Sequence, residues 1–397
     1  MNTTPTTDAT AERLAATQVD ALKAVAPPPV AAPPEDPALR RLVDRVRAAA
    51  VDGTKLAIAG GGSKAFYGGP VQGEPFDVTP LVGISSYEPT ELVVTVRCGT
   101  KLADLEAALA ERGQCLPFEP PHFGAAATVG GMVAAGLAGP PRATAGGVRD
   151  YILGLTLLNG RAEVLSFGGQ VMKNVAGYDV SRLLAGSLGT LGVILEVSLK
   201  VLPLAPATAT LRFEADEAGA LERLNGWGGR PLPLNASAWC DGRLTVRLRG
   251  AKAAVASAVD GLGGERVDAV EADAFWHGLR EQTDAWFADA RRRVEAGGAA
   301  TLWRLSVPQT AAPLGLAGPV LHEWGGAQRW LCSDRPAAEV RPAAAAAGGH
   351  ATLFRGADKS AGAFAPLSPT LERIHRRLKA AFDPHAIFNP GRLYAGL

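Results

Sequence analysis

Met172-Lys173-Asn174-Val175-Ala176-Gly177-Tyr178-Asp179, followed by Gly189-Thr190-Leu191-Gly192 and a strand-like run from Val193 to Leu202, is the stretch on which the fold turns. Two further glycine-punctuated stretches precede it. Gly60-Gly61-Gly62-Ser63-Lys64 follows the apolar run Lys55-Leu56-Ala57-Ile58-Ala59, and Thr128-Val129-Gly130-Gly131-Met132 opens a helix. Each stretch sits at the end of a strand or the start of a helix. Glycine tolerates positive φ and carries no side chain to hold a ligand away, so such loops let backbone approach phosphates and flat rings. Three of them in one segment point to a long dinucleotide.

The first loop formally matches the dinucleotide fingerprint of doubly wound folds, but Phe66-Tyr67-Gly68-Gly69-Pro70 follows at once and cannot open the required helix. It reads instead as a glycine turn offering backbone N–H groups to an anion. In the second, Pro120-Pro121 holds the entering chain extended and Gly124-Ala125-Ala126-Ala127 supplies only small residues. Thr128 reads as an N-cap, with Gly130 and Gly131 leaving the helix's free N–H groups open to phosphate. Tyr178 and Asp179 cap a helix from Ser181 or take part in the site. Together the loops are read as an FAD site.

Length and composition bound the rest. At 397 residues the chain is expected to form two domains, and 47% apolar residues suffice for a large interior. A net charge of +1 argues against nucleic acid or a membrane surface as partner. Cys98, Cys115, Cys240 and Cys332 lie far apart without a CxxC pair, so no zinc or iron–sulfur site and no disulfide framework is expected. No 18-residue apolar run and no signal-peptide pattern is present, which makes the cytoplasm the expected location.

Residues 1–36 form a Thr-, Ala- and Pro-rich tail, expected to be disordered apart from a short helix at Asp8–Val25. Leu39, Leu42, Val43 and Val46 predict a helix over 38–50, and Glu91–Arg97 a strand. Thr100 is expected to cap a helix through Leu102, Leu105 and Leu109 that stops at Gly113. Asn159-Gly160 predicts a tight hairpin between Tyr151–Leu158 and Glu163–Ser166. Beyond Pro203 and Pro206, strands are expected at Leu244–Leu248 and Leu302–Val307 and a helix at Ala251–Leu262. The alanine-rich 337–347 reads as an exposed helix, and Leu371–Phe382 as a basic amphipathic one.

In this order and spacing the motifs resemble the FAD-linked oxidases of the vanillyl-alcohol oxidase and p-cresol methylhydroxylase (PCMH) superfamily. The likeness runs from Pro37 to Pro203 and takes in Tyr87-Glu88-Pro89-Thr90-Glu91, Val148-Arg149-Asp150 and the returning Phe388-Asn389-Pro390-Gly391. Ser63-Lys64-Ala65-Phe66-Tyr67-Gly68, Leu302–Pro308 and Trp324–Trp330 are similar to the smaller FAD-binding subunit of bacterial glycolate oxidase complexes.

The resemblance implies an α+β chain: a two-lobed PCMH-type FAD domain over 37–205, a small α/β cap over 206–364, and a segment 365–397 returning to the FAD domain. It implies oxidation of glycolate, a small 2-hydroxyacid, to glyoxylate by hydride transfer to flavin N5. Partners would be a larger FAD-linked oxidase subunit and an iron–sulfur subunit, and attachment to the inner membrane would come only through them. Two alternatives stand beside this: an accessory FAD subunit for electron relay or assembly, and a stand-alone alcohol or aldonolactone oxidase.

Many superfamily members tether FAD through a histidine beside the first loop; Ser63-Lys64 stand there here, so non-covalent FAD is expected. The expected cofactor residues are Gly60, Gly61, Gly62, Ser63, Lys64, Pro120, Ala127, Thr128, Gly130, Gly131, Tyr178, Gly189, Gly192, Val193, Ile194 and Asn389. A hydroxyacid calls for a cation and a base. The six histidines (His122, His277, His322, His350, His375, His385) include no closely spaced metal-binding pair. His122, His322, Lys173 and Arg329 are the catalytic candidates. Lys64 is a candidate partner for phosphate, and Arg142 for cofactor or partner subunit. Arg304 serves a carboxylate or an interface, and Trp303, Trp324 and Trp330 serve core or interface.

Overall fold

A computed structural model describes residues 36–169 and 179–397. The decisive stretch Met172–Tyr178 lies outside the described residues, and with it Lys173 and Tyr178; so do residues 1–35 of the tail, with the helix expected at Asp8–Val25.

The first described element is the helix Pro37–Asp52, capped by Asp36 and buried along Leu39, Leu42, Val46 and Ala49. The strand Leu56–Ala59 then runs parallel to Glu74–Asp77. A five-stranded antiparallel sheet follows in the spatial order Ile84–Glu88, Val93–Arg97, Val193–Lys200, Ile152–Leu158, Val164–Gly168. One core joins this sheet to the helices Pro37–Asp52, Leu102–Ala110 and Val129–Ala135 and to Phe382, Ile387 and Phe388 of the returning C-terminus. Leu56 N–H donates to the Ile387 carbonyl and Asn389 N–H to that of Leu56, so the tail pairs alongside the first strand.

An eight-stranded antiparallel sheet takes all its strands from residues 207–355, ordered Glu265–Arg266, Ala207–Glu214, Arg243–Gly250, Leu234–Cys240, Val320–Glu323, Gln328–Ser333, Thr301–Ser306, His350–Arg355. Alternation along its strands splits the side chains between two cores. Leu302, Leu321, Trp330, Cys332 and Phe354 face inward, onto the helices Ala269–Glu281 and Ala285–Glu295 and onto Tyr67, Ala135, Leu137 and Leu188 of the first lobe. Trp239, Leu244, Val246 and Leu248 pack outward on the helices Glu217–Gly228 and Lys252–Leu262. Trp303, Leu305, Leu331 and Leu353 pack outward on Ala337–Ala346.

Three local expectations are corrected. Thr100 is not the cap of Leu102–Ala110: Lys101 holds the N-cap position, and the Thr100 hydroxyl bonds Gly83 N–H and C=O instead. The hairpin after Leu158 is no two-residue Asn-Gly turn. The Asn159 side chain accepts from the N–H groups of Arg161 and Glu163, making a five-residue loop with the positive φ at Ala162. Gly160 is there because the C-terminal helix ends against it: its N–H donates to the Phe382 carbonyl, and a Cβ would meet Asp383 Oδ1 at 2.5 Å. Finally, Ala337–Ala346 is not merely an exposed helix, because Val340 and Ala344 are fully buried against the strand His350–Arg355.

Candidate flavin site

The first loop leaves the strand Leu56–Ala59 and runs directly against the second. A Cβ on Gly60 would stand 2.4 Å from Thr128 Oγ1, and one on Gly61 only 1.5 Å from the Ala126 carbonyl oxygen. Only glycine lets the loops touch. The N–H groups from Gly60 to Lys64 make no hydrogen bond with the described residues, while Ala65 N–H closes the turn onto the Gly62 carbonyl. Unspent N–H groups in a turn are what an anionic group fills.

At the second loop the expectation of free helix N–H groups is corrected. Thr128 is the N-cap, but its Oγ1 accepts from Gly131 N–H, Val129 N–H donates to the Thr100 carbonyl and Gly130 N–H to that of Cys98. The first turn is therefore hydrogen-bonded within the protein. Gly130 is required for packing, since a Cβ would lie 2.7 Å from Cys98 Cβ. What this loop brings to the cleft is a smooth wall of small residues, not donors.

The third loop closes the cleft through Asn389. Its Oδ1 accepts from Ile58 N–H at 2.7 Å and its Nδ2 donates to the Leu188 carbonyl at 2.6 Å, tying the first strand to the turn before Gly189. Gly189 has φ +72° and Gly192 φ +156°, and a Cβ on Gly192 would lie 2.8 Å from the Leu158 carbonyl oxygen.

Gly60, Gly61, Gly62, Ser63, Lys64, Thr128, Gly130, Gly131, Gly189, Gly192, Ile194 and Asn389 line one continuous cleft. Three expected residues do not. Ala127 and Val193 are buried in the first core, and Pro120 is buried with its carbonyl taken by Arg280. Ile58, Val78, Cys98, Ala134, Ala135, Leu188 and Arg392 also line the cleft and were not anticipated. The first six read in sequence as ordinary core positions. Arg392 donates to the carbonyls of Ala65, Gly69 and Tyr67, bracing the first loop from the far end of the chain.

Lys64 leaves the cleft wall for a charged cluster. Its Nζ donates to the His122 carbonyl at 3.0 Å and lies over the Phe123 ring, and burial brings its pKa down to about 8 despite nearby Glu281. His122 Nε2 contacts Glu106, which also accepts from Arg280, while Glu281 accepts the His122 and Phe123 N–H groups.

His322 and Arg329 stand elsewhere, on the outward face of the large sheet. His322 is 2% exposed, packs on Trp239 and contacts Glu217, and burial with the nearby Arg329 lowers its pKa to about 3. Arg329 donates to the carbonyls of Gly326, Ala311 and Ala312. Both are spent on structure away from the cleft, which argues against a catalytic part for either.

Comparison with known proteins agrees with the geometry. A family described as FAD binding domain matches residues 37–168. The glycolate oxidase subunit GlcE of Escherichia coli (strain K12) is 48% identical over 356 residues, 90% of this chain and 97% of that protein. Glycolate oxidase subunit GlcD of Bacillus subtilis (strain 168) is 32% identical over 32% of this chain and 27% of its own, and a D-lactate dehydrogenase of Anaerostipes hadrus 34% identical over 36% and 29%. An alkyldihydroxyacetonephosphate synthase superposes with a TM-score of 0.61 at 15% identity, over 88% of this chain and 74% of that one, which bears on the fold alone. With near full-length identity to one such subunit and an FAD binding domain over its first lobe, the chain belongs to the glycolate oxidase subunit GlcE family of FAD-linked oxidoreductases.

Proposed function

We propose that this protein is the FAD-binding subunit of a complex that oxidises glycolate to glyoxylate. The observation that carries the reading is the 48% identity to the E. coli subunit across 97% of its length. The cleft fits the cofactor on two counts: glycines where a Cβ would close it, and unspent N–H groups from Gly60 to Lys64. Those N–H groups would hold the pyrophosphate, with Gly189, Gly192 and Ile194 along the remainder. Ser63 and Lys64 offer no ring nitrogen for a covalent tether, so FAD is held by non-covalent contacts. Bound FAD supplies the hydride-accepting ring that side chains cannot replace.

The finer reading adds a larger FAD-linked oxidase subunit, and an iron–sulfur subunit that carries electrons onward. Among the described residues no group of three His, Cys, Asp or Glu is placed to hold a metal, and no helix is long and apolar enough to cross a membrane.

A second reading has one observation in its favour: no histidine lines the cleft among the described residues. In that reading the subunit relays electrons and a partner removes the substrate hydrogen. The test is the visible spectrum of the chain purified alone, before and after acid precipitation, then with glycolate. Flavin that acid releases to the supernatant, together with bleaching of the native protein's flavin bands by glycolate, supports the first reading. Flavin bleached only once the partner subunits are added supports the second. A protein that stays colourless with added FAD defeats both.

A further inference from the structure

The inward face of the large sheet holds a second cleft, of about 650 Å3, between the strand ends at Arg304 and His350, the first lobe at Tyr67 and Arg142, and the returning segment at Tyr394. Trp324 lines it with a guanidinium against its ring from two residues: Arg142 Cζ lies 5.2 Å and Arg304 Cζ 5.3 Å from the ring centroid. The indole is fixed. Its Nε1 donates to the Gly139 carbonyl, and its backbone is held at φ +56°, a conformation uncommon for a bulky residue.

Neither guanidinium forms an ion pair among the described residues, although the Arg304 charge acts on the buried Glu323 and Asp150 lies near Arg142. Arg304 spends Nε on Gln328 Oε1 and donates no further hydrogen bond, and the Arg142 guanidinium donates none, among the described residues. Arg142 is nonetheless aimed: it crosses Gly147 so closely that a Cβ there would meet Nη1 at 2.2 Å. Among the described residues no carboxylate lines the cleft. Asp150, the nearby acid, is engaged by Gly147 N–H. Burial first, and then the Arg304 charge, pull the Arg142 pKa below its ordinary value, with the nearby Asp150 opposing.

Two forked donors flanking one aromatic ring suit a planar oxyanion. We propose that Arg142 and Arg304 clamp the carboxylate of the small 2-hydroxyacid in this cleft. The assignment names the anchor for the substrate of the function proposed above and rests on that reading.

The test uses the FAD-loaded complex and reads binding apart from turnover, by calorimetric titration with glycolate, with ethylene glycol and with inorganic phosphate. Arg142→Gln and Arg304→Gln should each weaken glycolate binding roughly tenfold or more, the usual scale for losing a charge-assisted pair. Ethylene glycol, lacking the carboxylate, should not bind measurably. In turnover the loss should appear mainly in KM. Glycolate affinity unchanged in both variants overturns the proposal, and so does phosphate binding tighter than glycolate at the same arginines. Arginine-dependent glycolate binding without any turnover would leave the clamp standing and remove the oxidase reading. Turnover at unchanged KM in the double variant would do the reverse. Should Arg142→Gln lose its flavin, Arg142→Lys keeps the charge without the fork and is judged by the same affinity criterion.

Discussion

Gly61 and Gly62 are neighbours in one loop, yet physical chemistry separates them. A Cβ at Gly61 would fall inside the Ala126 carbonyl, whereas Gly62, at φ +70°, faces open space. Gly61→Ala must therefore push the first two loops apart, and bound flavin per protein, read at the visible absorption band, should fall at least tenfold. Gly62→Ala should cost only the left-handed strain of about 1–2 kcal/mol and keep its flavin. Equal flavin content in both variants would contradict this account.

Glu323 is a second case in which surroundings override residue type. Its Oε2 accepts from Gln328 Nε2 and Trp330 Nε1 in a fully buried position, and burial raises its pKa from 4.5 to about 7, with Asp284 adding repulsion and Arg304 opposing. The folded protein thus binds this proton more tightly than the unfolded chain does. The stabilising contribution is full below pH 4.5 and lost as pH rises to about 7, on the order of 3 kcal/mol in all. Glu323→Gln keeps an acceptor for both donors and should flatten that part of the stability–pH curve. Parallel curves for the two proteins would show that the carboxyl titrates normally.

At the scale of elements, the helix Pro369–Phe382 acts through its last turn. Lys379 Nζ, buried, donates to Asp383 Oδ2 and to the carbonyls of Thr190 and Phe388, while Asp383 accepts from Ile387 and Phe388 N–H. This knot sets the tail that delivers Asn389 to the cleft. Lys379→Met leaves a buried carboxylate uncompensated, which typically costs about 3–5 kcal/mol. Lys379→Met/Asp383→Asn should recover part of the loss, since no charge is then left buried. Chemical denaturation reads both, and a double variant weaker than the single would refute the pairing. The basic, amphipathic character of this helix was legible from its spacing; the buried lysine was not, because the Thr190 carbonyl it meets lies 189 residues away in sequence.

Across the whole molecule, the lobes are joined by charge as well as by apolar packing. Glu119 of the first lobe takes Arg247 and Arg249 of the large sheet, with the Arg247 side chain only 4% exposed. Glu119→Gln should lower stability by about 3–5 kcal/mol by stranding Arg247. Glu119→Leu/Arg247→Met should lose less than that. An unchanged denaturation midpoint for Glu119→Gln would mean the lobes do not depend on this contact.

The sequence by itself determined the α+β character, the strands and helices with strong periodicity, the glycine loops and the likeness to FAD-linked oxidases. Those signals are local: glycine at tight turns, alternation in strands, a Thr at a helix start. Only the tertiary structure decided which glycines are forced by contact, that the helix donors after Thr128 are already spent, and that His322 and Arg329 belong to the far face of the sheet. It alone brought Arg392 to the first loop and set Arg142 and Arg304 against one indole ring. Hydrogen bonding and packing between residues hundreds of positions apart leave no periodic trace in a chain, so they become visible only once the chain has folded back on itself.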